Sequence, residues 1–419
     1  MRSATVTCDQ PTVTPALSML GMAAAALVLV GVVRLADTVP GGWQRNDFAH
    51  YYLSARACLD HADPYTTSLA PYCRELGFEY DPRITAGTNP PPLMGLVSLV
   101  AWLPPSAAYA AWTVLQTACL IGLIVLLCRH TAQQGGAWNW LAVGVVLNST
   151  AVWSHFHYSQ VQLLVALLIA AAFFAKQEGK GPPAVALVAL AAGLKLYPAA
   201  LLPWFVMSGA GGWPAAARRC LTAGGVGALM LLAGGLDAWH SFATHALGTI
   251  GNSVSFSTSN YSLPSGSAML AGAVYGRPLP AEVLANAVAS GQLLGALLIA
   301  AAYGAIWALR LPDRRAIGLL TAAMILASPV CWSHYLVLMI LPVWLAWHEL
   351  STRGLQGGDV ALWLLAALCL YSELDAPVPQ GEMGLFRTLL HLYPAAALLL
   401  FSAMQTRRQA AIGDTLASA

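Results

Sequence analysis

Apolar residues crowd the chain over 15–36, 92–103, 106–128, 138–153, 160–176, 182–207, 218–236, 284–309, 316–330, 333–348, 359–372 and 385–403. Leu, Ala and Val fill every face of a 3.6-residue period in most of these runs, so each predicts a helix without a wet side. Helices of that kind face lipid or one another. Backbone groups in hydrocarbon must pair inside a helix or a closed barrel, and the absence of period-2 alternation excludes the barrel. The pattern therefore predicts an all-α polytopic membrane protein, a single integral membrane domain over 1–419 with about 12 membrane helical elements.

Lys and Arg in short loops orient these elements, because cytoplasmic connections carry the excess of positive charge. Arg129, Lys176 and Lys180, Arg218 and Arg219, Arg310, Arg314 and Arg315, Arg353, and Arg407 and Arg408 mark the cytoplasmic side. Residues 37–91, 154–160, 237–283, 331–332 and 373–384 then lie on the outer face. Parity makes 92–103 a short interfacial helix, divided by Pro104 and Pro105 from a full span at 106–128. The run 182–207 begins and ends near cytoplasmic charge, yet is too short for two crossings. It predicts two half-helices meeting at "LKLYP", with Lys195 at the apex. The first apolar stretch, Pro15 to Val33, has no basic n-region beyond Arg2 and reaches full span length, so it reads as a retained helix and not a secretion signal.

Composition agrees with a lipid environment. Of 419 residues, 58% are apolar and 9% charged, against about 25% charged in a soluble domain. A net charge of +2 with no basic tract leaves no electrostatic footprint for nucleic acid. The expected location is the inner (plasma) membrane, multi-pass. Cys119, Cys128, Cys220 and Cys369 fall in apolar runs as small core residues. Cys58 and Cys73 share the first outer loop, where a disulfide and two free thiols are both open readings. No Cys/His spacing suits zinc, no DxD pair flanks Asp47 to cradle a divalent cation, and neither metal nor cofactor is expected.

Polar side chains gather in the outer connections: Asp47, His50, Tyr51 and Arg56, then "TNPPPL" with Asn89, "WSHFHYSQVQ" with His155 and Gln160, "SNYSLPSG" with Asn260, and "CWSHY" with His334. A hydrogen-bonding or charged group at the lipid edge needs a partner or a role. Asp47 has two readings, a loop ion pair with Arg45 or Arg56 and a functional acid. Lys195 lies deep in an apolar run, where snorkelling is awkward and an ammonium suits an anion such as phosphate. His334 reads as an interfacial anchor or a site residue, and His155 and His157, two apart, do not form a metal pair.

The order of motifs, Asp47 with "YYLSARA", "ADPY" at Ala62 to Tyr65, "NPPPLMGLVSLVAWLP", the Gln160 turn, "GLKLYPAALLPW" and "SPVCWSHYLVL", resembles glycosyltransferase family 87 over about residues 40–345. That family includes polyprenol-phosphate-mannose α-mannosyltransferases and arabinofuranosyltransferases of cell-envelope lipids. The resemblance implies a C-type membrane glycosyltransferase (GT-C) fold, with juxtamembrane helices and the catalytic acid in the outer loop 37–105 and a second outer loop at 237–283. It implies transfer of a sugar, mannose first, from a polyprenyl-phosphate donor to a hydroxyl of a glycolipid or glycan acceptor on the outer, periplasmic face. In that family Asp47 matches the base, His334 the histidine of "W-x-H-Y" and Lys195 the lysine of "K-x-Y-P". Two positions depart from the common pattern: Ser159 stands where a Gly before Gln160 is usual, and Leu196 where many members have Pro.

The residues suit that chemistry. A sugar phosphoester leaves as phosphate, so the reaction needs cationic or hydrogen-bonding groups for the phosphate and one base for the acceptor. Lys195, with Arg45 and Arg56 as helpers, fits the first need and Asp47 the second, while Tyr51, Asn89, Gln160, His155 and Asn260 are candidates to bind substrate. A single base without a paired carboxylate favours direct displacement with inversion. The alternative function is a transporter or lipid flippase, since broken helices and a mid-run lysine occur there too.

Overall fold

The computed structural model describes residues 15–39, 47–78, 86–131, 136–248, 260–276 and 278–353, with scattered positions between 360 and 403. Arg45 lies outside the described residues, as do most of the segments expected at 359–372 and 385–403. The described chain is helical, and its one isolated strand-like pairing joins Asn260 to Trp332.

By length and composition, four of the described helices can cross a membrane, over Met19–Thr38, Pro105–His130, Gly212–Gly234 and Ala281–Ala308. The first belongs to α1 (Pro15–Thr38), which packs on α6 (Gly136–Leu147) where glycines let the backbones meet. A Cβ on Gly31 would come within 2.6 Å of Leu147 Cβ, and one on Gly144 within 2.7 Å of Leu27 Cβ. Asn148 Nδ2 donates to Leu27 O at 2.7 Å and fixes the pair.

The first outer segment carries α2 (Asp47–Leu59) and α3 (Ala70–Leu76). Next come the short α4 (Pro91–Ala101) and the long α5 (Pro105–His130), with the prolines ending one helix and starting the other. Sequence placed one element at 138–153, but two occur. The helix stops at Leu147, and Ser149 then caps α7 (Thr150–Tyr158), its hydroxyl accepting from Val152 N at 3.3 Å. His155 and His157, expected in a loop, are therefore helical. The helix α8 (Gln162–Gln177) follows.

The run 182–207 turns back on itself, as parity required. The helix α9 (Gly181–Leu194) stops at Lys195, whose backbone is extended (φ −144°, ψ 132°). A 3-10 turn over Tyr197–Leu201 leads into α10 (Leu202–Met207), which packs back along α9. Arg219 of α11 (Gly212–Gly234) touches both ends of this hairpin. Its Nε donates to Val206 O at 2.7 Å, and its Cδ would lie 3.0 Å from a Cβ on Gly181. The basic ends gather with it: Lys176 Nζ lies 2.6 Å from Asp313 Oδ2 and 4.5 Å from the centre of the Trp204 ring. His130 stacks on Phe174 with ring centres 4.0 Å apart. Lys195 marks the other end of the hairpin, about 20 Å away along α9 at 1.5 Å per residue.

The span 237–283, expected as a loop, is largely helical where it is described. It holds α12 (Leu236–Ser241), a π turn over Phe242–Ala246 and α13 (Leu263–Tyr275), which packs on α14 (Ala281–Ala308). Gly291 allows that contact, since a Cβ there would meet Pro264 Cα at 2.5 Å. The chain continues as α15 (Asp313–Ala327), a 3-10 turn over Ser333–Met339 and α16 (Ile340–Arg353).

Candidate functional site

At the end away from the clustered basic residues, a cavity of about 800 Å³ opens between α2, the 88–90 segment, the Lys195 turn, the Phe242 turn and the 328–335 segment. Its lining is mixed. Asp47, His50, Tyr51, Asn89, Gln160, Lys195 and His334 contribute polar groups, while Phe242, Leu247, Ile299, Met324 and Val330 contribute apolar ones.

Asp47 opens α2, where a carboxylate meets the positive end of the helix dipole. One turn on, Tyr51 faces the same way, as residues four apart on a helix do. Gln160 joins them: its Nε2 donates to Asp47 Oδ2, and its Oε1 accepts from Tyr51 OH at 2.5 Å. The backbone before it delivers that carboxamide. Ser159 is left-handed (φ 51°, ψ 50°) and ends α7, and its carbonyl accepts from Trp112 Nε1 at 2.9 Å. That conformation explains why glycine is common at this position, since only glycine adopts it without steric cost.

Lys195 is aimed across the cavity by the end of α9. Its Nζ donates to Asn89 Oδ1 at 2.6 Å and lies 5.7 Å from the centre of the Tyr51 ring. Asn89 is in turn held through its backbone, for Tyr65 OH donates to Asn89 O at 2.8 Å. His50 pairs with Ala86 O at 2.6 Å. A carbonyl only accepts, so Nε2 carries the hydrogen in the neutral ring. Burial pushes the imidazole below its ordinary value, against the raising effects of that hydrogen bond and of Asp47.

His334 is the second residue of the 3-10 turn, is 3% exposed, and its Nδ1 has no hydrogen-bond partner among the described residues. The hydroxyl of Tyr197, also on the cavity wall, has none either. Buried polar atoms without partners are uncommon, and these two belong to residues of one cavity wall.

The fold thus gathers Asp47, Tyr51, Asn89, Gln160, Lys195 and His334. It puts the candidates Arg56, His155 and Asn260 elsewhere, and His157 with them. Arg56, at the far end of α2, lies 3.8 Å from Asp60 in a partly exposed pair. His155 is fully buried, with Nε2 3.2 Å from Gln116 Oε1. His157 stacks on Trp153. Asn260 is a joint: its Oδ1 accepts from Cys331 N at 2.9 Å and from Ser262 N at 3.3 Å, which anchors the strand-like approach to His334. Cys58 and Cys73 are free thiols. Sequence reasoning missed Tyr197, Phe242 and Tyr335 as wall residues. Tyr197 and Tyr335 stand inside the quoted motifs "LKLYP" and "CWSHY", whereas nothing local in the sequence distinguishes Phe242 from other lipid-level aromatics. Among the described residues, no group of three or more metal-ligating side chains occurs.

The sequence model of glycosyltransferase family 87 matches residues 88–329. That span holds Asn89, Gln160 and Lys195, while Asp47 and His334 flank it and join them only through the fold. No curated protein matches the chain.

Proposed function

Because the chain belongs to glycosyltransferase family 87 and is a membrane glycosyltransferase, we propose that its donor is a polyprenyl-phosphate sugar and that Asp47 is the catalytic base. The observation that carries this reading is the pairing, in one cavity, of a carboxylate and a half-buried ammonium within a lining that also holds apolar residues. The polar groups suit a sugar and its phosphate, and the apolar residues suit the first isoprene units.

In the proposed reaction, the acceptor hydroxyl attacks the anomeric carbon, and the bond from that carbon to the phosphate oxygen breaks. The lipid phosphate departs with the electron pair, and the hydroxyl proton passes to Asp47. Lys195 stabilises the charge developing on the phosphate. His334 Nδ1 and Tyr197 OH orient donor phosphate or acceptor. Among the described residues that line the cavity, Asp47 is the one carboxylate, which supports a single displacement with inversion.

Mannose is the first candidate sugar and arabinofuranose the second, with a hydroxyl of an envelope glycolipid or glycan as acceptor. The site would face outward from the inner membrane, since the cavity lies at the end opposite Arg219, Lys176 and His130, and positive charge stays inside. The arrangement of a helical membrane core with α2 to α4 over it supports a GT-C type fold. A flippase would need a path through both halves, whereas these ionisable groups crowd one end. Purified protein incubated with radiolabelled polyprenyl-phosphate mannose or arabinofuranose and a lipid extract should yield labelled glycolipid. No release or transfer from either donor would overturn the reading.

A further inference from the structure

The "ADPY" motif lies outside the catalytic account, yet it joins three separate segments. Asp63 Oδ1 accepts from Tyr65 N at 2.9 Å, an Asx turn that fixes the motif's own backbone. Pro64 O accepts from Gly87 N at 2.6 Å, and Tyr65 OH donates to Asn89 O at 2.8 Å, so the motif grips 87–89 at two points. Asp63 Oδ2 accepts from Ser241 Oγ at 2.5 Å. The next residue, Phe242, enters the cavity wall and packs edge-on against Tyr65, with ring centres 5.5 Å apart.

This contact forms its own small core, with Tyr65, Phe242 and Ala246 buried together and Trp239 against them, apart from the main one. The helix before it is tightly hinged. Gly235 has φ 77°, and a Cβ on Gly234 would lie 2.8 Å from both Pro91 Cβ and Trp239 Nε1. A π turn follows over Phe242–Ala246, a form found mostly at functional sites. The carboxyl of Asp63 is held below its usual range: burial raises it, but hydrogen bonds from Ser241, the Tyr65 amide and Thr66, with nearby His245, lower it more. Asp63 thus stays an anion and a strong acceptor.

We propose that Asp63 is a positioning residue for the lipid-linked sugar phosphate. It seats Phe242 as the donor-side wall through Ser241, and through Tyr65 it holds Asn89 and the Lys195 ammonium that Asn89 carries. The inference rests on the donor reading above. It adds that the 236–248 segment and the phosphate-facing lysine are set by one anchor, so donor affinity depends on a residue that does not line the cavity.

Full-length protein in nanodiscs, as wild type, Asp63→Ala, Asp63→Asn, Ser241→Ala and Asp63→Ala with Ser241→Ala, tests this by two readouts. Hydrogen exchange of residues 236–248, which needs no substrate, should quicken about tenfold in Asp63→Ala and Ser241→Ala, the loss expected for one charge-assisted hydrogen bond. The KM for donor should rise about tenfold with kcat within about threefold of wild type. The double variant should be no worse than the worse single, because both break one link, and Asp63→Asn, which keeps an acceptor, should recover most of the loss. Should Asp63→Ala fail to fold, Asp63→Asn and Ser241→Ala carry the test. Unchanged exchange, or a fall in kcat at constant KM, would overturn the proposal. A wild type inert toward every polyprenyl-phosphate sugar would sink the donor reading instead, while exchange would still report on the anchor.

Discussion

Gln160 donates its side-chain amide to Asp47 Oδ2 while accepting from Tyr51 OH. The bond occupies one carboxylate oxygen and fixes the rotation of the group. On the proposed mechanism, this contact presents Asp47 to the acceptor in a defined orientation. Removing the amide by Gln160→Ala should lower kcat about tenfold, the scale of one hydrogen bond to a charged group. Gln160→Glu should act differently, because two carboxylates in contact cannot both ionise easily and one apparent pKa rises. Its acidic limb in a kcat against pH profile should move to higher pH. Unaltered pH dependence in Gln160→Glu would show that the two groups do not touch.

Ser159 holds a left-handed backbone that glycine adopts freely. Ser159→Gly should therefore keep activity and raise stability by about 1 kcal/mol, whereas Ser159→Val should lower stability and activity together. Thermal unfolding in detergent, followed with a thiol-reactive dye, measures both. A destabilised glycine variant would contradict the strain.

Leu196 has φ −66° and ψ −32°, and Lys195 before it is extended. These are the conformations that proline and its preceding residue require. Leu196→Pro is thus expected to fold and to retain wild-type kcat within about threefold, as proline just past a helix end is well tolerated. Loss of folding would mean that the turn depends on the Leu196 amide.

His50 is neutral when folded because burial lowers its pKa, with Asp47 and the Ala86 carbonyl acting against that and Lys195 with it. A group whose folded pKa lies below its unfolded value of 6.5 binds protons more readily when unfolded, so stability falls as pH drops below that value and levels off below the folded pKa. Wild type should lose stability between about pH 7 and 5. His50→Asn, which keeps a donor for Ala86 O, should flatten that decline. Denaturation midpoints at stepped pH decide it, and equal slopes would remove His50 as the cause.

Much of the architecture was legible because hydropathy and charge are read by the membrane directly. The hairpin at Lys195 followed from parity alone, since 182–207 could not cross twice. The break at Asn148 and Ser149 was not legible, because it depends on a hydroxyl cap and on Asn148 reaching Leu27 in another helix. The site divides the same way. Asp47 and Lys195 stood out because charge is expensive in an apolar chain. Asn260 and His155 looked equally functional, being polar among apolar neighbours, but their partners are Cys331, Ser262 and Gln116, distant in sequence. The anchoring of Phe242 by Asp63 likewise joins residues 178 apart in sequence, which no local pattern encodes.

The central claim is that Asp47 takes the acceptor's proton in transfer from a lipid phosphate. Single-turnover sugar transfer by wild type and Asp47→Asn, at saturating polyprenyl-phosphate sugar and with matched thermal midpoints, tests it most directly. The account predicts a loss of 10²- to 10⁴-fold in rate with donor binding retained, the range for removing a general base. A variant that folds, binds donor and transfers sugar within about threefold of wild type would contradict it.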